Sequence, residues 1–440
     1  MAHTNGVHMR NINRFGLAML AVFASVAGAQ QPISIQHIRP NDQRGVNMFE
    51  PSKEDTVTFK GTRVQFGAAF RQDFQGLQHS NTAAVNNVTT AGVTTNVNQL
   101  INMGHGFNNA VANANIDVQL VKGVRVAMTS YLSARHHNET WVKDGYALID
   151  ESPIDNPILN QLMTHMTLKA GQFELNYGDG HFRRTDNGQS IYNPFVGNYI
   201  LDAFTTEVGA EVYAHDGWWL TMVGIGNGES KGMILSPEKR SPVFYGKAGV
   251  DHRWNSDLRT RLMFSAISQA RSTSQTLYGG DRGGSPFFDV MENTLSTETA
   301  NAWSGTVRNP FSSGIQGQVI NPFIKYRGAE FFGQYEWALG FNNGETTKRK
   351  VNQSVYEGLY RFYHDQFYAG GRLIDMNGRL FGMTNDINVT RYEVGGGWFV
   401  TQNLLTKLAW VNQNYNKFPL LDIRHGGNFK GFMFSGAVAF

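Results

Sequence analysis

The chain has 440 residues with no cysteine, which excludes a disulfide framework and thiolate metal sites. Its formal net charge of +3 is too small to argue for nucleic acid as a partner. Hydrophobic residues make up 41%, yet beyond the N-terminus no apolar run approaches the roughly 18 residues of a membrane helix. If the chain meets lipid, it must do so as a closed barrel, the other structure that satisfies its own backbone in hydrocarbon.

Residues 1–29 read as a signal peptide. Arg10 and Arg14 precede the apolar run 15–23, and Ala27-Gly28-Ala29 supplies a small-residue cleavage site. Residues 30–55 are polar, and Arg39-Pro40-Asn41-Asp42 with Gly45 argues against a regular element there. This stretch is expected to be a lead-in, or a small plug, for a barrel spanning residues 56–440.

The first strand is expected over residues 56–70. An Asn/Thr/Val-rich stretch, 81–102, follows as a long external loop. The clearest hairpin comes next. Ala112, Ala114, Ile116, Val118 and Leu120 alternate with Asn113, Asn115, Asp117 and Gln119, and the chain reverses at Val121-Lys122-Gly123-Val124. Arms of roughly ten residues suit a tilted transmembrane strand, whereas soluble sheets favour about five or six.

The rhythm repeats. A strand end at 146–150 and a short helix or link at 153–166 lead to a strand at 167–177, where the alternation slips at Gly171-Gln172 as a bulge would make it. Strands follow at 201–214, 218–226, 243–254 and 258–270, then a long Gly/Ser/Thr/Asn-rich loop over 272–319. The remaining strands are 320–327, 330–341, 352–362, 367–375, 387–400, 403–413 and 430–440. On the last, Phe432, Phe434, Gly436, Val438 and Phe440 share one face. This strand is expected to close the barrel against residues 56–70. The sum is an all-β, up-and-down antiparallel transmembrane barrel of about sixteen strands, with fourteen to eighteen as the bracket.

An apolar ladder ending on Phe, with short turns alternating with long loops, resembles the Gram-negative outer-membrane porins of the general and phosphate-selective kinds. The resemblance lies in architecture, not in alignable residues. It implies a cell outer-membrane location reached by a cleaved signal peptide. It also implies a passive water-filled channel for small polar or charged solutes, with no cofactor and no enzymatic activity. The implied partners are outer-membrane lipid and lipopolysaccharide, and the barrel-assembly machinery, engaged through the C-terminal strand, whose Phe432, Phe434 and Phe440 are the candidates for barrel closure. Homotrimer and monomer both stay open. A barrel of about 16–18 strands is wide enough for an aqueous channel. The alternative is a receptor or structural anchor working through its external loops.

Glu207 and Glu211 share a strand face, but four residues of strand separate them by about 13 Å, too far for paired-carboxylate hydrolysis. The adjacent His136 and His137 point to opposite faces and make a poor metal pair. The densest polar stretch, 176–188, counts as the third external loop. In general porins that loop folds inward, so Asp179, His181, Arg183, Arg184 and Asp186 are candidates for a pore constriction. The Pro-Glu-Phe-Gly-type motif of those loops is missing, and Asn193-Pro194-Phe195-Val196-Gly197-Asn198 stands in its place. An ordinary surface loop is the competing reading. A basic cluster, Arg253, Arg259, Arg261, Lys325 and Arg327, lies near the short-turn side, partly offset by Asp251 and Glu330. With Glu174, Glu207 and Glu211 these are the expected lumen charges, and they imply a weak anion preference. A solvated rim is the alternative for the cluster.

Overall fold

Period-two alternation decides the architecture, because it gives each strand one apolar and one polar face. The computed structural model describes residues 35–51, 53, 57–133, 139–183, 187–228 and 236–440. In it, sixteen antiparallel strands close into a barrel, each paired with its sequence neighbours and the last with the first. They are β1 (Arg63–Ser80), β2 (Val111–Val121), β3 (Val124–Ser133), β4 (Glu139–Ile149), β5 (Met166–Glu174) and β6 (Thr206–Asp216). Then follow β7 (Trp219–Gly226), β8 (Val243–Arg253), β9 (Leu258–Gln269), β10 (Gly314–Tyr326) and β11 (Ala329–Phe341). The series ends with β12 (Arg349–Phe362), β13 (Phe367–Gly378), β14 (Ile387–Thr401), β15 (Leu404–Asn416) and β16 (Asn428–Ala439). Two short helices interrupt the connections, α1 (Pro157–Met163) and α2 (Gly180–Arg183). In the first long connection, Asn87–Thr90 pairs with Val93–Asn96, and Gly106–Phe107 adds to β1.

Closure corrects the expected pairing. The strand β1 starts at Arg63 and runs on to Ser80, and its second half, from Ala69, pairs with β16. Its first half, Arg63 to Arg71, pairs with β2 instead. Arg71, Asp73 and Gln75 resemble the polar end of a strand in sequence. They are instead inward residues, buried in the lumen, while the alternate residues Phe70 and Phe74 are exposed outside. A polar lumen lets a strand carry charge without ending.

Other boundaries move for related reasons. The strand β10 begins at Gly314, inside the stretch expected to be loop, and β6 begins only at Thr206. No bulge occurs at Gly171, since β5 pairs without a register shift on both sides. Gly171 adopts φ +139°, and a Cβ there would lie 2.3 Å from the Gly145 carbonyl oxygen, so the residue serves close strand approach. A register shift occurs instead in the preceding β3–β4 pairing, where Thr129 faces Asp144 and Ser130 faces Val142.

The barrel has its polarity reversed relative to a water-soluble fold. Phe66, Val223, Phe244, Val394 and Phe432 are exposed on the outside, whereas Arg125, Arg391, Glu336 and Lys407 are buried inside. On the short-turn rim Trp218, Trp254, Tyr326 and Tyr363 are exposed. Aromatic rings at such a rim match the girdle that barrels place at a membrane–water boundary.

Candidate functional site

Three segments converge inside the barrel. The first is residues 35–51. Its Asn47 donates to Glu330 at 2.5 Å, and the Gln43 side chain donates to the Asp365 carbonyl at 2.9 Å. Glu50 pairs with Lys247 at 2.9 Å and with Arg261 at 2.6 Å. The second is the third long connection, residues 175–205, buried along nearly all its described length. Asp179 pairs with Arg261 at 2.7 Å and Lys247 at 3.0 Å, and Arg183 with Glu330 at 2.7 Å and Glu357 at 2.9 Å. Farther on, the Lys407 ammonium donates to the carbonyls of Ser190, Asn193 and Phe195. The third segment is the fifth long connection, residues 270–313. Tyr278 donates to Glu336 at 2.7 Å, and Arg391 donates to the Gly305 carbonyl at 2.9 Å.

The wall that receives these segments is a lattice of paired charges. Glu357 and Arg372 face each other across β12 and β13, and Arg372 and Glu393 across β13 and β14. Their ion pairs measure 3.3 and 2.7 Å, and Arg361 adds a 2.9 Å pair to Glu330. Removing a charge from water costs several kcal/mol, on the order of its attraction to a well-placed partner. Arg183 and Asp179 therefore complete a lattice that the wall alone leaves short of partners.

The electrostatics of the inserted segments follow from this. Burial alone would raise the Glu50 carboxyl, but Arg261 and Lys247 outweigh it and hold the group well below the usual carboxylate range. Burial disfavours the charge on Arg183, yet Glu330 and Glu357 raise its affinity for the proton further still. His181 is pushed well below the ordinary histidine value, first by burial and then by the nearby Lys247 charge. Arg39, buried against aromatic rings, falls to about 10.

The sequence-derived candidates divide as follows. Asp179, His181 and Arg183 lie together inside the barrel, while Arg184 and Asp186 lie outside the described residues, as do His136, His137 and the signal segment. Glu174 approaches His181 at 4.0 Å. Glu207 accepts from the Gly228 amide at 2.7 Å, and Glu211 accepts from the Tyr213 and Tyr245 hydroxyls at 2.6 and 2.9 Å. The basic cluster splits. Arg259 and Arg261 turn inward onto Asp251. Lys325 pairs with Asp365, Arg327 pairs with Asp257, and Arg327 and Arg253 are exposed at the rim. Phe432, Phe434 and Phe440 point outward and are about half exposed, while the backbone of β16 makes the closing ladder.

Space remains on one side. A cavity of about 270 Å³ lies between the wall of β2–β6 and the inserted segments. Arg39, Glu50, Asp117, Lys169, His181 and Tyr192 are among its lining residues. Sequence reasoning missed the inward course of residues 270–313. A signal was available in Tyr278, Phe287, Trp303 and Phe311, more aromatic surface than a solvated Gly/Ser-rich loop has use for.

No family model and no curated protein matches the chain. Among solved structures it is similar to the anion-selective porin from Comamonas acidovorans, with TM-score 0.52 and 8% identity over 86% of this chain and 100% of that one. It is likewise similar to the outer-membrane channel DcaP of Acinetobacter baumannii, with TM-score 0.52 and 10% identity over 87% of this chain and 99% of that one. At such identities the likeness is one of fold. The chain is a closed sixteen-stranded antiparallel β-barrel resembling outer-membrane porins and channels.

Proposed function

We propose that this protein is an outer-membrane porin, a passive water-filled channel for small polar or charged solutes. The observation that carries the reading is the open space beside β2–β6, polar inside a barrel whose outer face is apolar. The fold it shares with proteins described as an anion-selective porin and an outer-membrane channel supports the same reading. On this reading residues 1–29 direct secretion, residues 35–51 act as a partial plug, and Asp179, His181 and Arg183 border the constriction. The apolar outer face would contact outer-membrane lipid and lipopolysaccharide, and Phe432, Phe434 and Phe440 would engage the assembly machinery. The anion preference is weak, because the inward Arg259 and Arg261 are already neutralised by carboxylates.

A second reading, a receptor or structural anchor with a closed lumen, draws on how much of the interior the three inserted segments occupy. Single-channel recording of the purified protein in a planar bilayer separates the two. A porin passes ions without any partner. A protein that inserts and never conducts is the anchor.

A further inference from the structure

The cavity beside β2–β6 contains two charged groups whose bonding is incomplete. Asp117 of β2 is only 8% exposed, and its carboxylate has no hydrogen bond or ion pair among the described residues. Its register neighbours are Ala127 on β3 and Gln65 on β1, neither of them a cation. On the opposite side, Arg39 comes from the N-terminal segment. Its Nε donates to the Gly45 carbonyl at 2.9 Å, and its guanidinium sits 3.6 Å from the centre of the Tyr192 ring. The guanidinium makes no other hydrogen bond among the described residues and lines the cavity.

Neighbouring charges in the cavity have charged or hydrogen-bonding partners. Arg125 approaches Asp150 at 3.1 Å, Lys169 approaches Glu211 at 3.3 Å, and Glu50 is held by Lys247 and Arg261. Asp144 accepts from the Glu174 amide at 3.2 Å. The Asp117 carboxylate and the Arg39 guanidinium therefore line the same space without a charged partner among the described residues, with Tyr146 and Phe173 among the walls around them.

We propose that this cavity is a binding site for a small zwitterion, with Asp117 holding the ammonium group and Arg39 the carboxylate. The chemistry selects for both charges on one molecule. A simple anion that reaches Arg39 still meets the Asp117 carboxylate nearby, and a simple cation meets the reverse. A zwitterion brings no net charge into the cavity and supplies a partner to each of the two groups, which offsets the cost of burying them. The inference rests on the channel reading for the route by which such a solute arrives, but not for the site itself.

The test is equilibrium binding to the full protein in detergent, by calorimetric titration, with alanine and 6-aminohexanoate as zwitterions of short and long charge spacing. Acetate, ethylammonium and glucose are the controls. At least one zwitterion should bind roughly tenfold or more tightly than acetate or ethylammonium, the scale of one charge-assisted hydrogen bond. Asp117→Asn and Arg39→Gln should each weaken it by roughly the same factor, and Arg39→Lys should weaken it less. A heat-shift gel verifies that each variant keeps its barrel. The proposal is overturned if neither zwitterion outcompetes the single ions, if glucose binds as well, or if folded Asp117→Asn binds like the parent. Planar-bilayer conductance of the same preparation keeps the two readings apart. Conductance without zwitterion binding removes the site and leaves the channel, whereas binding without conductance removes the channel and leaves the site.

Discussion

A carboxylate buried in a barrel is stabilised by the cations that meet it, and Asp179 meets two. Its side chain is fully buried against Lys247 and Arg261. Asp179→Asn would leave both cations with Glu50 as the remaining shared partner, so the barrel should lose on the order of 3 kcal/mol. The temperature at which the folded band disappears from a denaturing gel should fall accordingly. His181 gives a pH-dependent counterpart. Its Nε2 lies 2.9 Å from the Asn176 side-chain oxygen and its Nδ1 4.0 Å from Glu174. Lys247, Lys169 and Arg39 oppose a proton there, and Glu50 favours one. With the folded value depressed below the unfolded one of about 6.5, the folded state binds fewer protons. The contribution is complete above about pH 6.5 and is lost as pH falls toward the folded value. Hydrogen-exchange protection in residues 176–183, relative to the intrinsic rate at each pH, should therefore fall between about pH 7 and pH 5, and His181→Gln should flatten that dependence. An equal response in parent and variant would assign the effect to other groups.

At the scale of elements, the third connection carries its own anchoring charges into the lumen. Removing residues 180–188 in frame takes out Arg183 but leaves Glu330 with Arg361 and Glu357 with Arg372. The barrel should survive, and single-channel conductance should rise. Unchanged conductance in a folded barrel would mean that this connection does not limit the pore. The strands themselves were largely legible, because period-two alternation survives wherever one face is apolar and the other polar. The hairpin β2–β3 and the closing strand are examples. Less legible was where strands end, as β1 shows with Arg71 and Asp73 continuing inward beyond the expected limit. The partners of inward charges were illegible for another reason. Asp179 and Lys247 are 68 residues apart in the chain, and no local spacing announces a contact made across a lumen. The last strand offers a further check. The Phe440 amide donates to the Ala68 carbonyl, and the Ala68 amide donates back to Phe440, each at 3.0 Å. Deleting Phe440 removes both bonds and an outward ring, so the heat-modifiable form recovered from membranes should decrease.

For the molecule as a whole, selectivity should be set more by the rim than by the interior. The cavity is lined by Arg39, Arg125, Lys143 and Lys169 on one side of the count and by Glu50, Asp117, Asp144 and Glu174 on the other. Four formal charges of each sign leave no net charge to sort ions. At the short-turn rim, by contrast, Arg253 and Arg327 are exposed, with Asp257 offsetting Arg327 through a 3.0 Å pair. Exposed charges act through solvent, and at about 0.15 M salt the Debye length is about 8 Å. The reversal potential in a salt gradient should therefore be small and on the anion side, and it should grow as the salt is diluted. Replacing Arg253 and Arg327 with Gln removes two cations and frees Asp257, so the potential should move toward cations at low salt and hardly at all at high salt. A parent channel that strongly prefers cations, or a double variant identical to the parent in dilute salt, would show that these arginines only keep the rim hydrated.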